Sequence, residues 1–128
     1  MRLLLDTRIV LAILRKDAGA RFPEIASLLG DSKTVGFVSV ASLWETAIRA
    51  RLGTLDPGIP LEDIAGSLEE IGLILLGIEI QHVITAADPE LETRDPFDRL
   101  LPARARSKAL QLATVDRLLV DHPLALRL

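Results

Sequence analysis

Apolar residues in this chain come in short runs, and most runs are followed by a stretch in which apolar positions recur every three or four residues. That alternation of the two periods is the rhythm of βαβ units, which predicts an α/β fold with a mostly parallel sheet covered on both faces. Arg2 to Leu5 reads as the first strand. Thr7 to Lys16 follows as a helix, with Ile9, Ile13 and Leu14 at helical spacing. Pro23 to Leu29 is a second short helix, with proline at its start and Gly30 just past its end. Val35 to Val40 is a β-branched strand. A helix then begins at Ser39 or Ser42, runs to about Leu52 and stops at Gly53. Leu61 to Ile71 reads as a helix ended by Gly72, and Leu73 to Leu76 as a strand. Gln81 to Ala87 reads as a short helix ending near Asp88-Pro89. Pro96 to Ala109 is the clearest late helix and Leu110 to Ala113 a buried strand. Asp116 to Val120 is expected as a last short helix before an edge strand, Leu124 to Leu128.

In open parallel sheets the strand-to-helix loops all emerge at one edge, so functional groups gather beyond the carboxyl ends of the strands. Asp6, Glu45 and Asp116 each follow a predicted strand there, and Asp98 comes from the first turn of the helix at Pro96. Each acid has a local explanation of its own. Asp6 can cap the first helix and Asp116 the last. Ser42 with Glu45 fits the capping box, in which the carboxylate reaches back to a backbone amide. Asp95-Pro96-Phe97-Asp98 has an N-cap aspartate, a proline at the first helical position and an acid in the first turn. Only the four acids together, on one edge, point to a site.

Length and composition narrow the class. At 128 residues, 49% hydrophobic and 26% charged, the chain suits one domain over residues 1–128 with one core. The absence of cysteine excludes disulfides and thiolate metal sites, and with only His82 and His122 a histidine-rich zinc site is disfavoured. His122, before Pro123, reads as a loop residue. The apolar start is interrupted by Asp6 and Arg8 and does not read as a signal peptide, and runs such as Gly72 to Ile78 are too short to span a bilayer. The expectation is a cytoplasmic protein without a membrane segment. A net charge of −3 and a pI of about 5.3 argue against coating nucleic acid through a broad positive field. Any nucleic-acid contact is therefore local. The arginines near the acids, Arg8, Arg49, Arg51, Arg94 and Arg99, are the candidates, against the plain alternative of solvated helix surface. Trp44, beside Leu43, is expected in core or dimer packing rather than stacked on a base. A mean hydropathy of +0.34 suggests apolar surface covered by a partner or a second copy.

Several segments together carry a family resemblance: Leu4-Leu5-Asp6-Thr7, the run from Val38 to Glu45, Leu52-Gly53-Thr54-Leu55, the run from Arg94 to Leu101, and Leu112-Ala113-Thr114-Val115-Asp116. In this order and at these separations the chain resembles PIN-domain proteins of the VapC toxin type, over nearly its whole length. The resemblance implies a three-layer α/β/α PIN-like fold with a central, mostly parallel sheet of four to five strands. It implies cleavage of RNA dependent on Mg2+ or Mn2+, a homodimer, and inhibition by a cognate antitoxin protein. Asp6, Glu45, Asp98 and Asp116 match the family's metal site.

The chemistry of the residues agrees with that implication. Phosphodiester hydrolysis calls for a hard cation that orients water and neutralises charge growing on the phosphate, and carboxylate oxygens suit magnesium or manganese. Asp6, Asp98 and Asp116 are assigned as ligands, direct or through water, and Glu45 as a ligand or the group that orients the water. Thr114 is expected to hydrogen-bond a ligand from behind. Two residues depart from the family pattern. Pro102 stands where isoleucine or valine is usual, and is expected to kink the helix or end it early, four residues after Asp98. Arg104 stands where glutamine is commoner. These departures support an alternative: a catalytically weak or silent PIN-like domain that binds an antitoxin or another protein. An aspartate-nucleophile phosphatase would want a second aspartate where Arg8 stands. A phosphoacceptor domain would want a lysine where the nearest cation is Arg117.

Overall fold

Leu3, Leu4 and Leu5 have no solvent exposure, because the strand they form, β1 (Arg2–Leu5), lies inside the sheet with a core on each face. The computed structural model describes residues 1–80, 84, 96–117 and 119–127, and for residues 96–98 the backbone alone. Four strands form one sheet in the order β3-β2-β1-β4, with β2 at Val35–Ser39, β3 at Ile74–Leu76 and β4 at Gln111–Ala113. All three pairings are parallel; Leu5 stands opposite Val38 on one side and Ala113 on the other. Ala125 adds a single parallel bridge to Leu112, so the expected edge strand is reduced to one pairing.

The alternation along β1 divides the core. Leu3 and Leu5 pack with Ile9, Val10, Val38, Ile64 and Leu68, while Leu4 packs with Phe37, Leu101, Ala105, Leu112 and Leu119. A strand apolar on both faces needs helices on both, which gives the three α/β/α layers. Between β1 and β2 lie α1 (Thr7–Leu14), α2 (Ala18–Arg21) and α3 (Pro23–Leu29). After β2 come α4 (Val40–Arg51), a 3-10 turn at Leu61–Asp63 and α5 (Ile64–Glu70), and α6 (Pro96–Ser107) precedes β4. Gly36 allows close packing on β2, since a Cβ there would lie 2.5 Å from Leu73 Cδ2 and 3.0 Å from Leu29 Cδ2.

Several expectations need correction. The first helix ends at Leu14, two residues early, and α6 ends at Ser107 rather than Ala109. Both ends have the same cause. The Asp17 amide donates to the Ala12 carbonyl and the Leu110 amide to that of Ala105, closing Schellman turns around Lys16 and Ala109, both at positive φ (62° and 54°). Glycine usually marks that position, and here none does. Ala109→Gly relieves the left-handed alanine, and is expected to stabilise the fold by about 0.5–1 kcal/mol, read as a higher urea midpoint at unchanged slope. The short helix α2 buries no residue and leaves no apolar period to read. Among the described residues of the segment Asp116 to Val120, none is helical. The amides of Leu119 and Val120 both donate to the Asp116 carbonyl in a turn. Pro102 does not end α6, which runs through it with the proline buried, although Pro102 has no amide hydrogen to give the Asp98 carbonyl. The helix expected at 81–87 lies, except for Ile84, outside the described residues, as do His82, Arg94 and Asp95.

Candidate active site

The strand order places a topological switch at β1: the chain moves outward from β1 through β2 to β3, then returns to set β4 on the other side of β1. Asp6 stands at that point, and its amide donates to the Ala113 carbonyl at 3.0 Å. Asp6 is only 3% exposed, and both of its carboxylate oxygens accept hydrogen bonds. Oδ1 accepts from the Ile9 amide at 3.0 Å, the cap expected for α1. Oδ2 accepts from the Thr114 hydroxyl at 2.5 Å and the Val115 amide at 2.8 Å, two groups from the loop after β4. Asp6 therefore caps a helix and ties together the ends of two strands.

Thr114 extends the lacing, because its Oγ1 also accepts from the Asp116 amide at 3.0 Å. This brings Asp116, half-buried, to the same rim. On the other side, the Thr7 hydroxyl donates to Glu45 Oε1 at 2.9 Å, which joins the start of α1 to α4. Glu45 Oε2 pairs with Arg49 at 2.7 Å, and Glu45 is 8% exposed. Asp6, Glu45 and Asp116 thus share the carboxyl edge of three adjacent strands. Asp98 is the third residue of α6, and its side chain lies outside the described set.

The capping-box explanation for Glu45 fails. Ser39, not Ser42, caps α4, with its Oγ accepting from the Ala41 amide at 2.9 Å, and the Glu45 carboxylate meets Thr7 and Arg49 instead. Core packing for Trp44 fails too, since it is 58% exposed. His122 is in a turn, as expected, but buried, with Nδ1 accepting from the Leu124 amide at 3.2 Å. Arg8, Arg49, Arg51 and Arg99 are exposed. A cleft of about 240 Å³, lined by Arg21, Phe22, Pro23, Glu24, Ile25 and Val115, opens beside the Asp6 node.

Among the described residues, no three histidine, cysteine or acidic side chains stand close enough together to hold a metal by themselves. The donor chemistry nevertheless fits a hard divalent cation. Each carboxylate oxygen has two acceptor positions, and hydrogen bonds fill only one on Asp6 Oδ1 and one on each oxygen of Glu45.

A family model of the PIN domain matches residues 3–122. A search of curated proteins gives no match. Among solved structures, the fold is similar to that in "Crystal structure of VapBC2 from Rickettsia felis bound to a DNA fragment from their promoter". The TM-score is 0.65 at 14% identity, over 98% of this chain and 96% of that one. No helix among the described residues is long and apolar enough to cross a membrane. The family match runs from the first strand, through all four acids, to the turn after the last strand, and the chain belongs to the PIN domain family.

Proposed function

We propose that this protein is a metal-dependent endoribonuclease of the VapC toxin type, hydrolysing RNA phosphodiester bonds at Asp6, Glu45, Asp98 and Asp116. PIN domains are in general metal-dependent nucleases, which supports the reaction class. The observation that carries the reading is the pair of buried carboxylates, Asp6 and Glu45, laced to the switch edge through Thr114, Val115 and Thr7. Asp6, Asp98 and Asp116 would hold Mg2+ or Mn2+, with Glu45 as a further ligand or the group that orients water. The bound cation supplies neutralisation of charge developing on the phosphate. Thr114 fixes the orientation of Asp6, and Thr7 that of Glu45, so both carboxylates are set before substrate arrives. The exposed Arg8, Arg51 and Arg99 are candidates to hold RNA phosphates locally, in keeping with the negative net charge of the whole chain.

The partners follow the same reading: a cognate antitoxin that blocks the site, and a second copy of this chain. The exposed Val40, Trp44, Leu52, Ile71 and Ile74 provide apolar surface for them to cover. The test incubates pure protein with single-stranded and structured RNAs in Mg2+, Mn2+ or chelator, alongside Asp98→Asn. Cleavage is expected with either metal, is lost in chelator and falls in the variant. Cleavage that ignores both metal and variant defeats the proposal. A folded, metal-binding protein with no cleavage of any RNA favours the silent PIN-like interaction domain instead.

A further inference from the structure

Arg104 is the largest side chain with no solvent exposure among the described residues. It leaves α6 six residues after Asp98 and ends against the carboxyl ends of two strands. Nη1 donates to Ser39 Oγ, and Nη2 donates to the carbonyls of Leu76 at 2.7 Å and Gly77 at 2.9 Å. Nε is buried without a partner among the described residues. Burial pushes the guanidinium pKa down to about 10, partly offset by the negative charge of Glu79, so it stays protonated at neutral pH. A charge held in the interior is costly, and an apolar residue would fill the same space at lower cost.

What Arg104 touches gives that cost a purpose. Ser39 is the N-cap of α4, the helix that carries Glu45, and its Oγ accepts from the Ala41 amide as well as from Arg104. One guanidinium therefore ties the helix of Asp98, the start of the helix of Glu45 and the exit of β3. Its rigid fork serves all three acceptors, which the shorter, neutral glutamine cannot do with the same geometry.

We propose that Arg104 is a positioning residue: acting through Ser39, it sets the start of α4, and with it the place of Glu45 relative to Asp6 and to the helix of Asp98. The inference rests on the metal-site reading above. Bound Mn2+ loses the EPR signal of the free aqueous ion, which supplies a readout of metal binding independent of catalysis. Mn2+ is titrated into the wild type, Arg104→Met, Arg104→Lys, Ser39→Ala and the Arg104→Met/Ser39→Ala double variant. Circular dichroism and melting check the fold of each. The midpoint is expected to rise about tenfold in Arg104→Met and in Ser39→Ala, and to be partly restored in Arg104→Lys. The double variant should match Arg104→Met, because both changes act through one contact. If Arg104→Met does not fold, Ser39→Ala, which removes one oxygen, carries the same expectation. Wild-type midpoints in the folded variants overturn the inference and leave the metal site standing. A wild type that binds no Mn2+ overturns both.

Discussion

Asp6→Asn loses at least about 100-fold in RNA cleavage while keeping its fold, the largest effect on activity expected here; loss of a group that only supports a ligand already costs 10- to 100-fold. Asparagine caps a helix as well as aspartate does, so the Ile9 amide keeps an acceptor. The other end of the side chain is less tolerant. An amide nitrogen placed where Oδ2 stands would face the Val115 amide, donor against donor, while the Thr114 hydroxyl can rotate to accept. The expected destabilisation is about 1–3 kcal/mol, the penalty for one buried donor left unpaired. Melting curves separate that modest loss from the collapse in rate. An Asp6→Asn protein that cleaves RNA at the wild-type rate, with the same metal requirement, would remove Asp6 from the site.

The largest effect on stability is expected from Leu4→Ala. Leu4 has no exposure and packs on the α6 side of the sheet against Phe37, Leu101, Ala105 and Leu112. Truncation leaves a cavity between a central strand and a helix, neither free to collapse into it, and costs about 2–5 kcal/mol. That is a large share of the roughly 5–15 kcal/mol that holds a domain of this kind together, and Tm should fall by about 10 °C. Exposed Ile80 offers the contrast, since Ile80→Ser should change stability by less than about 0.5 kcal/mol. Equal melting temperatures for Leu4→Ala and the wild type would contradict the two-sided core.

The strands were legible in the sequence because their apolar runs are short and bounded, and β1 falls where the pattern placed it. Asp6 and Asp116 were legible beyond strand ends for the same reason, and Glu45 in the helix that follows β2. Helix ends were not, where Lys16 and Ala109 occupy positions usually marked by glycine. The start of α4 was open between Ser39 and Ser42, because both serines satisfy local rules. Contacts distant in sequence decide it: Arg104 reaches Ser39 across 65 residues, and Thr7 reaches Glu45 across 38. Of the two packings expected for Trp44, core and dimer, exposure removes only the core, because an apolar neighbour does not say which face of a helix turns inward. Pro102 is tolerated inside α6 because tertiary packing, more than each backbone bond, holds a helix in place.

The pairing of the last strand with the first also sets an order of events during synthesis. Asp6 leaves the ribosome well before the Thr114 hydroxyl and Val115 amide that hold its carboxylate, which lie 108 and 109 residues further along the chain. Until β4 has emerged, β1 lacks one neighbour and Asp6 lacks two of its three hydrogen-bond donors. A chain that has not yet released β4 therefore lacks the hydrogen-bonded rim around Asp6.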